Sequence, residues 1–494
     1  MTATKKTVLL MSRGARLNYL FRPMAAELAK RHRVVVLAFP DEVELYSGLR
    51  GVDVRELKSW DVAFSWRDAP AVSDATLRER ARAAEEALGI PLYKAASTYL
   101  LYGRVIRSYG GYWPFLNTER DCLLAFVESF DALSKVFEEV RPDVVFYESV
   151  DLISTYVALA LASRRGVFAL QMMLSPIGAG GISAGYGVHR ENIVLRHLYA
   201  NRELISDSSY AAADAILADP KAALYTTPYA IFNRNTLAAN SPFTAERLSR
   251  IVRQPTQVMQ GARNLRWHLR SVVNRAWLKR HLSRSLPASP YVAFPLSHMP
   301  EVSTCSQAPR CVDQNTIVEQ LALNAPSWLK IVVKEHPRSY GRRGASFFGP
   351  LTRSPNVVVC HPHVSNYELL TRAEAILATT GTSGFEGLVF GKKVGVLGRP
   401  FYAAYAGVKK LSHPEELYEA LADPLWAPED MHEERRAFLA AHAQTQHDFR
   451  FGPNRLYPAD GGVRWACALE ETMAFIDMHG LTPLHFDSGL CPLR

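Results

Sequence analysis

Short apolar runs with no polar face constrain this chain more than any other feature. Thr7–Met11 (T-V-L-L-M), Arg33–Phe39 (R-V-V-V-L-A-F) and Pro142–Glu148 (P-D-V-V-F-Y-E) are rich in β-branched residues and too short for helices. A strand that is apolar throughout needs cover on both faces, which a parallel sheet beneath helices supplies. The sequence between the runs agrees. Leu17, Leu20, Phe21, Met24 and Leu28 recur at helical spacing, and Asp151–Ser163 reads as a helix leading to a strand at Val167–Met172. Residues 75–139 read as mostly helical, and Gly178, Gly180, Gly181, Gly185 and Gly187 crowd what reads as a loop.

A second series follows the boundary-like Leu286-Pro287-Ala288-Ser289-Pro290. Strands are expected at Tyr291–Leu296, Leu329–Lys334, Asn356–Cys360, Glu374–Thr379 and Val394–Leu397. Helices are expected at Asp313–Leu323, Asn366–Ala373 and Gly384–Phe390. The fold class is therefore α/β, with two Rossmann-like domains whose parallel sheets face an interdomain cleft. The expected division is an acceptor domain at 1–245, a basic helical linker at 246–288, a nucleotide-sugar domain at 289–450, and a helix and tail at 451–494 packing back on the first domain. In open α/β sheets ligands bind beyond the carboxyl ends of the strands, so chemistry is sought there.

Composition narrows the classes. With 48% hydrophobic and 21% charged residues the chain is neither disordered nor fibrous. No apolar run reaches the ~18 residues of a membrane-spanning helix. Lys5 and Lys6 precede only Val8–Met11, too brief for a signal peptide. Six scattered cysteines, none in a C-x-x-C pair, fit neither a disulfide framework nor a zinc site and point to the cytoplasm. The net charge of +9 is concentrated. Ten basic residues and no acidic one lie between Glu246 and Glu301, leaving the rest of the molecule near neutral. That segment interleaves Leu265, Trp267, Leu269, Val272, Val273, Trp277, Leu278 and Leu282 with its cations. It reads as an amphipathic helix, suited to an anionic membrane surface or to packing as a linker, and no motif supports nucleic acid.

Four elements carry chemistry. Thr379-Thr380-Gly381-Thr382-Ser383-Gly384-Phe385-Glu386-Gly387 spans a strand end and a helix start. Its free N–H groups suit a phosphate, and its glycines at 381, 384 and 387 are expected to admit a ligand closely. Ser383 and Glu386 have capping-box spacing. Lys334-Glu335-His336-Pro337 ends another strand, and His336 is placed to donate to a phosphate or sugar hydroxyl or to transfer a proton. Ser297-His298-Met299-Pro300-Glu301 follows a third, with Glu301 suited to bind a hydroxyl or act as a base. In the N-terminal half Glu148 and Asp151 follow a strand, where a carboxylate would deprotonate an acceptor hydroxyl. Asp151 has the alternative of capping the next helix. Arg13, after the first strand, would meet an anionic acceptor.

The pieces Y-V-A-F-P-L-S-H-M-P-E-V-S-T, D-Q-N-T-I at 313–317, I-V-V-K-E-H-P-R at 331–338, P-N-V at 355–357, T-G-T-S-G-F-E-G-L at 380–388, G-K-K-V at 391–394 and G-R-P-F-Y at 398–402 occur in one order. Together, from about Tyr291 to Tyr402, they resemble the capsular polysaccharide biosynthesis family of bacterial glycosyltransferases, which includes the Kdo transferases of capsule assembly. The resemblance implies a GT-B glycosyltransferase that needs no metal or other cofactor. Its nucleotide-sugar donor, CMP-Kdo in the most specific form, would be held by the C-terminal domain. It puts the family's P-E pair on Pro300 and Glu301, its H-P pair on His336 and Pro337, and its small-residue loop and Glu on Thr380 to Glu386. The expected catalytic residues are His336 and Glu301 from the resemblance and Glu148 from its place after the N-terminal strand. The expected donor contacts are Lys334, Arg338, Thr380, Gly381, Thr382, Ser383, Gly384 and Glu386, and the N-terminal strand ends offer Arg13 and Asp151 as the expected acceptor contacts. Ser297-His298-Met299 departs from the family, where His or Gln commonly adjoins the P-E pair, and Gly387 stands where Ala is common. The acceptor would be a growing surface glycan or its lipid-linked precursor, met in the cytoplasm or at the inner membrane. Two rivals are a CDP-alditol phosphotransferase of teichoic-acid type and a non-catalytic capsule assembly or export protein.

Overall fold

The computed structural model describes residues 5–12, 17–40, 42–57, 71–101, 118–177, 181–225, 258–299, 301–426, 431–449 and 459–483, with backbone alone over 258–268. The chain divides into two compact units. One comprises Met1–Leu100, Pro114–Ile205 and Ala441–Arg494, and the other Leu101–Trp113 and Ser206–Ala440.

The first unit is built on a seven-stranded sheet. β1 (Thr7–Met11), β2 (Arg33–Ala38), β3 (Val52–Glu56), β4 (Val144–Phe146) and β5 (Phe168–Leu174) are parallel, in the order β3-β2-β1-β4-β5. β6 (Gly181–Tyr186) joins β5 antiparallel, and the short strand His447–Asp448 closes that edge. Val8, Leu9, Leu10, Val34, Val35, Val36, Val145 and Phe146 are fully buried, as strands covered on both faces must be. The helix Ile153–Arg164 is buried over nearly its whole circumference, which explains its lack of a polar face. The helix Gly461–Met478 packs on Asn18–Leu28. A Cβ at Gly462 would stand 2.2 Å from the Leu20 carbonyl oxygen, so glycine sets how closely the two helices meet. Trp465 meets Phe21 edge-on at 6.2 Å.

The structure corrects the sequence reading at three places in this unit. The glycine-crowded stretch is a strand over Gly181–Tyr186, not a loop. Its glycines lower β-propensity, but pairing on both edges overrides that, and a Cβ at Gly185 would meet Met173 Sδ at 2.7 Å. β3 was not anticipated, because Val52-Asp53-Val54-Arg55-Glu56 is a half-exposed edge strand with charged positions. Residues 206–225, expected with the first domain, belong to the second unit. There Arg436 Nε lies 2.6 Å from Asp214 Oδ1, and Tyr225 bonds to Glu386.

The second unit holds a six-stranded, wholly parallel sheet. β7 (Tyr291–Pro295), β8 (Lys330–Lys334), β9 (Val357–Cys360), β10 (Ala375–Ala378), β11 (Lys393–Val396) and β12 (Val408–Lys410) lie in the order β9-β8-β7-β10-β11-β12. This is the doubly wound order, with its reversal between β7 and β10. Val292, Phe294, Ile331, Val333 and Leu377 anchor one core against helices that include Gln314–Leu323. The helix Val258–His281 precedes the sheet and sends Leu278 into the same core.

Candidate active site

The order β10-β7-β8 brings three motif loops side by side at the carboxyl edge of the second sheet. Ser297, just past β7, is their meeting point. Its hydroxyl lies 2.6 Å from Thr379 Oγ1 at the end of β10, spanning the reversal of strand order. Its N–H donates to Gln314 Oε1 at 2.8 Å, and its carbonyl accepts from Gln314 Nε2 at 3.3 Å and from Arg343. Gln314 is fully buried. It belongs to the D-Q-N-T-I element, whose purpose the sequence did not reveal. Asp313 caps the helix by accepting from the Thr316 N–H, and Gln314 clamps the loop after β7.

Past β8, Glu335 and Arg343 are both fully buried and 3.3 Å apart. Glu335 Oε1 also accepts the His336 N–H at 2.6 Å. Burial pushes the Glu335 carboxyl up from the usual carboxylate range, and Arg343 opposes that. His336 Nδ1 accepts the Arg338 N–H at 3.1 Å, so the ring hydrogen sits on Nε2. Burial, then Arg343, Arg338, Lys334 and Arg342, push the imidazole down to about 3. At neutral pH His336 is an uncharged ring offering an N–H. Of the roles expected for it, this state fits hydrogen-bond donation and not that of a base. His298, 5.4 Å from it between ring centroids, is pinned through Nδ1 to Ser339 Oγ at 2.8 Å and pushed down to about 2, chiefly by burial.

At the end of β10 the helix runs Thr382–Val389. Gly381 precedes it and no side chain caps it. This corrects the expected capping box: Glu386 Oε1 accepts from Thr382 Oγ1 at 3.2 Å and Oε2 from the Tyr225 hydroxyl. The first-turn N–H groups of the helix are thus uncapped and anion-seeking. Burial raises the Glu386 carboxyl, while Tyr225, Thr382 and Lys334 oppose that. Lys334 is buried, donates to Asn366 Oδ1, and is lowered to about 8 by burial. Thr380 Oγ1 donates to the Ser303 carbonyl at 3.0 Å and Tyr402 to the Gly381 carbonyl at 2.7 Å, tying the turn to its neighbours.

The three glycines differ in what they face. A Cβ at Gly381 would meet nothing within 4 Å. One at Gly384 would lie 2.3 Å from the Tyr402 hydroxyl, and one at Gly387 would lie 2.3 Å from Ile376 Cδ1. Only Gly381 borders open space. The other two serve internal packing, which corrects the expectation that all three admit a ligand.

Glu301 is half-buried at the start of the short helix Val302–Cys305, and its Oε2 accepts from Ser303 Oγ at 2.8 Å. Ser383 and Arg338 are half-buried and Thr382 is exposed. In the first unit, Glu148 (half-buried) and Asp151 (buried) follow β4, beside the end of β1. Leu152 precedes the helix Ile153–Arg164 and makes no side-chain cap bond to it. Arg13 and Pro300 lie outside the described residues. The sequence reading missed Gln314, Arg343, Asn366, Tyr225 and Tyr402. Gln314 and Tyr402 lay within pieces of the resemblance, whereas Arg343, Asn366 and Tyr225 carried no local signal.

Residues 291–449 match the sequence model of the family described as capsule polysaccharide biosynthesis protein. No curated protein matches the chain. Among solved structures, the beta Kdo 2,7 transferase of Thermosulfurimonas dismutans KpsC is 12% identical, covering 76% of this chain and 95% of that one, with a TM-score of 0.36. The beta Kdo 2,4 transferase of the same protein is 14% identical, covering 61% and 79%, also at 0.36. A UDP-GlcNAc 2-epimerase from Neisseria meningitidis, bound to UDP-GlcNAc, is 12% identical, covering 95% and 100%, at 0.27.

Proposed function

We propose that this chain, whose residues 291–449 match the capsule polysaccharide biosynthesis family and whose two units each hold a mainly parallel sheet, is a glycosyltransferase of the two-domain Rossmann-like GT-B plan. It transfers a sugar from a nucleotide-sugar donor, with CMP-Kdo the most specific candidate, to a hydroxyl of a growing capsular glycan or its lipid-linked precursor. One observation carries the reading. At the reversal of the second sheet, the Ser297–Thr379 bond, the uncapped helix start at Thr382 and the Nε2–H of His336 share one edge. Such an edge suits the phosphate of a nucleotide.

In the reaction the acceptor oxygen forms a bond to the anomeric carbon as the bond from that carbon to the phosphate oxygen breaks. The electron pair leaves with the nucleotide. Its charge is met by helix N–H groups, by the His336 N–H and by the fields of Lys334 and Arg338. Glu386 acts indirectly, by holding Thr382 and the turn. The acceptor proton passes to a carboxylate. Glu301 is the candidate in the second unit and Glu148 in the first, where Asp151 would bind the acceptor. These donors are the protein's own, so the reaction is read as metal-independent and should survive a chelator.

Ranking CMP, CDP, UDP and GDP by thermal stabilisation tests the donor. A nucleotide at ~100 times its Kd adds roughly 2.7 kcal/mol. Stabilisation by CMP, with sugar recovered on the acceptor, supports the reading. A transferred group that carries phosphorus would replace it with alditol-phosphate transfer. Absence of any nucleotide binding would leave an accessory role in capsule assembly.

A further inference from the structure

The helix Val258–His281 has two unlike sides. At 3.6 residues per turn, Ser271 and Leu278 lie on one side, continued by Leu282 just past the helix end, and all three are buried. Asn274 donates to the Gly341 carbonyl at 3.0 Å beside them, and Arg275 lies over the Tyr340 ring at 5.7 Å. That side is a packed face of the second unit. The opposite side carries Leu269, Val272, Val273 and Ala276. The first three are 59%, 54% and 67% exposed. One turn further, the same stripe continues as Lys279 and Arg280, with Arg270 and Arg284 on its flanks, all exposed.

We propose that this outer face is a docking surface for an anionic lipid bilayer, with the helix lying along the headgroup plane. Large aliphatic side chains at i, i+3 and i+4, each more than half exposed, form a patch that a soluble surface rarely leaves bare. The charge that the segment itself carries has one sign, because no acidic residue occurs between Glu246 and Glu301. An apolar stripe edged by cations complements acyl chains beneath anionic headgroups. The stripe argues against nucleic acid, which offers no apolar surface at its phosphates. Like charge argues against a second copy of the same helix, since two such segments repel. Among the described residues no helix is long and apolar enough to cross a membrane, so the contact is peripheral. Relative to the sequence reading, Leu278 and Leu282 leave the lipid-facing set, because the unit's own core takes them.

Co-sedimentation of the full-length protein with vesicles tests this independently of the transfer reaction. Phosphatidylcholine vesicles containing phosphatidylglycerol should bind the protein at low salt. Vesicles of phosphatidylcholine alone should not, and added salt should weaken binding. The double variants Val272→Asn/Val273→Asn and Lys279→Gln/Arg280→Gln should each lower partition by about tenfold. Both should keep the wild-type Tm and nucleotide affinity, because neither touches the carboxyl edge of the sheet. The proposal is overturned if the wild type ignores anionic vesicles at low salt, or if both variants bind as it does. It is equally overturned if sedimentation velocity shows a dimer that Val272→Asn/Val273→Asn dissolves, since the face would then join two copies.

Discussion

The Arg343 guanidinium and the Glu335 carboxylate, both without solvent exposure, form an ion pair at 3.3 Å within the stretch that follows β8. Arg343 also donates to the Ser297 carbonyl after β7, and Glu335 accepts the His336 N–H after β8. The pair therefore spaces the two loops in which the P-E and H-P elements occur.

Removing one partner strands the other. Arg343→Met should cost about 3–5 kcal/mol in urea unfolding, because an uncompensated charge stays buried. Glu335→Gln keeps an acceptor for the His336 N–H but leaves the Arg343 charge buried without its counter-ion, so it should also lower the unfolding midpoint. If Arg343→Met unfolds at the wild-type midpoint, the pair does not hold the loops.

His336 is expected to donate a hydrogen bond while uncharged. His336→Ala should lower kcat/KM by about 10²–10³, the usual loss for one charge-stabilising donor. His336→Gln, whose amide still donates, should recover part of that. The pH profile of kcat/KM should show no inflection near 6.5 belonging to this ring, since its proton affinity is displaced down to about 3. An inflection there that His336→Gln abolishes would make the ring a base.

The two glycines of the turn should separate folding from binding. Gly384→Ala drives a methyl against the Tyr402 ring and should destabilise by about 1–3 kcal/mol. Gly381→Ala has open space and ordinary backbone angles (φ −72°), so its Tm should match the wild type while nucleotide affinity falls. Unchanged nucleotide affinity in Gly381→Ala would mean that no ligand approaches the turn at that point.

Three imidazoles held uncharged by desolvation, His442 buried and His298 and His336 half-buried, should make the protein acid-sensitive. Burial lowers His298 to about 2, and His336 and His442 to about 3. The unfolded chain protonates each near 6.5 and the folded chain does not, so unfolding takes up protons as pH falls. Their contribution is complete above about pH 6.5 and declines below it, by on the order of 1 kcal/mol per pH unit for each ring. Thermal unfolding from about pH 7.5 to about pH 5 should show the decline, and His442→Gln should make it shallower. A Tm that does not respond to pH across that range would mean the rings are not held as neutral groups.

The sequence alone determined the layered α/β plan and the loops that matter. β1, β2 and β7 are apolar throughout and short, a pattern that only a covered parallel sheet satisfies. The T-G-T-S-G and K-E-H-P elements sit at strand ends, which local periodicity reveals. Tertiary structure decided what those residues do. Whether Gly384 admits a ligand depends on Tyr402, eighteen positions away, and the tautomer of His336 depends on a turn that β8 must first present. The side of the basic helix left bare depended on Leu278 finding the core of the second unit. Arg343 illustrates the physical reason. A buried charge is tolerated only where partners from several strands converge, and no window of sequence contains that convergence.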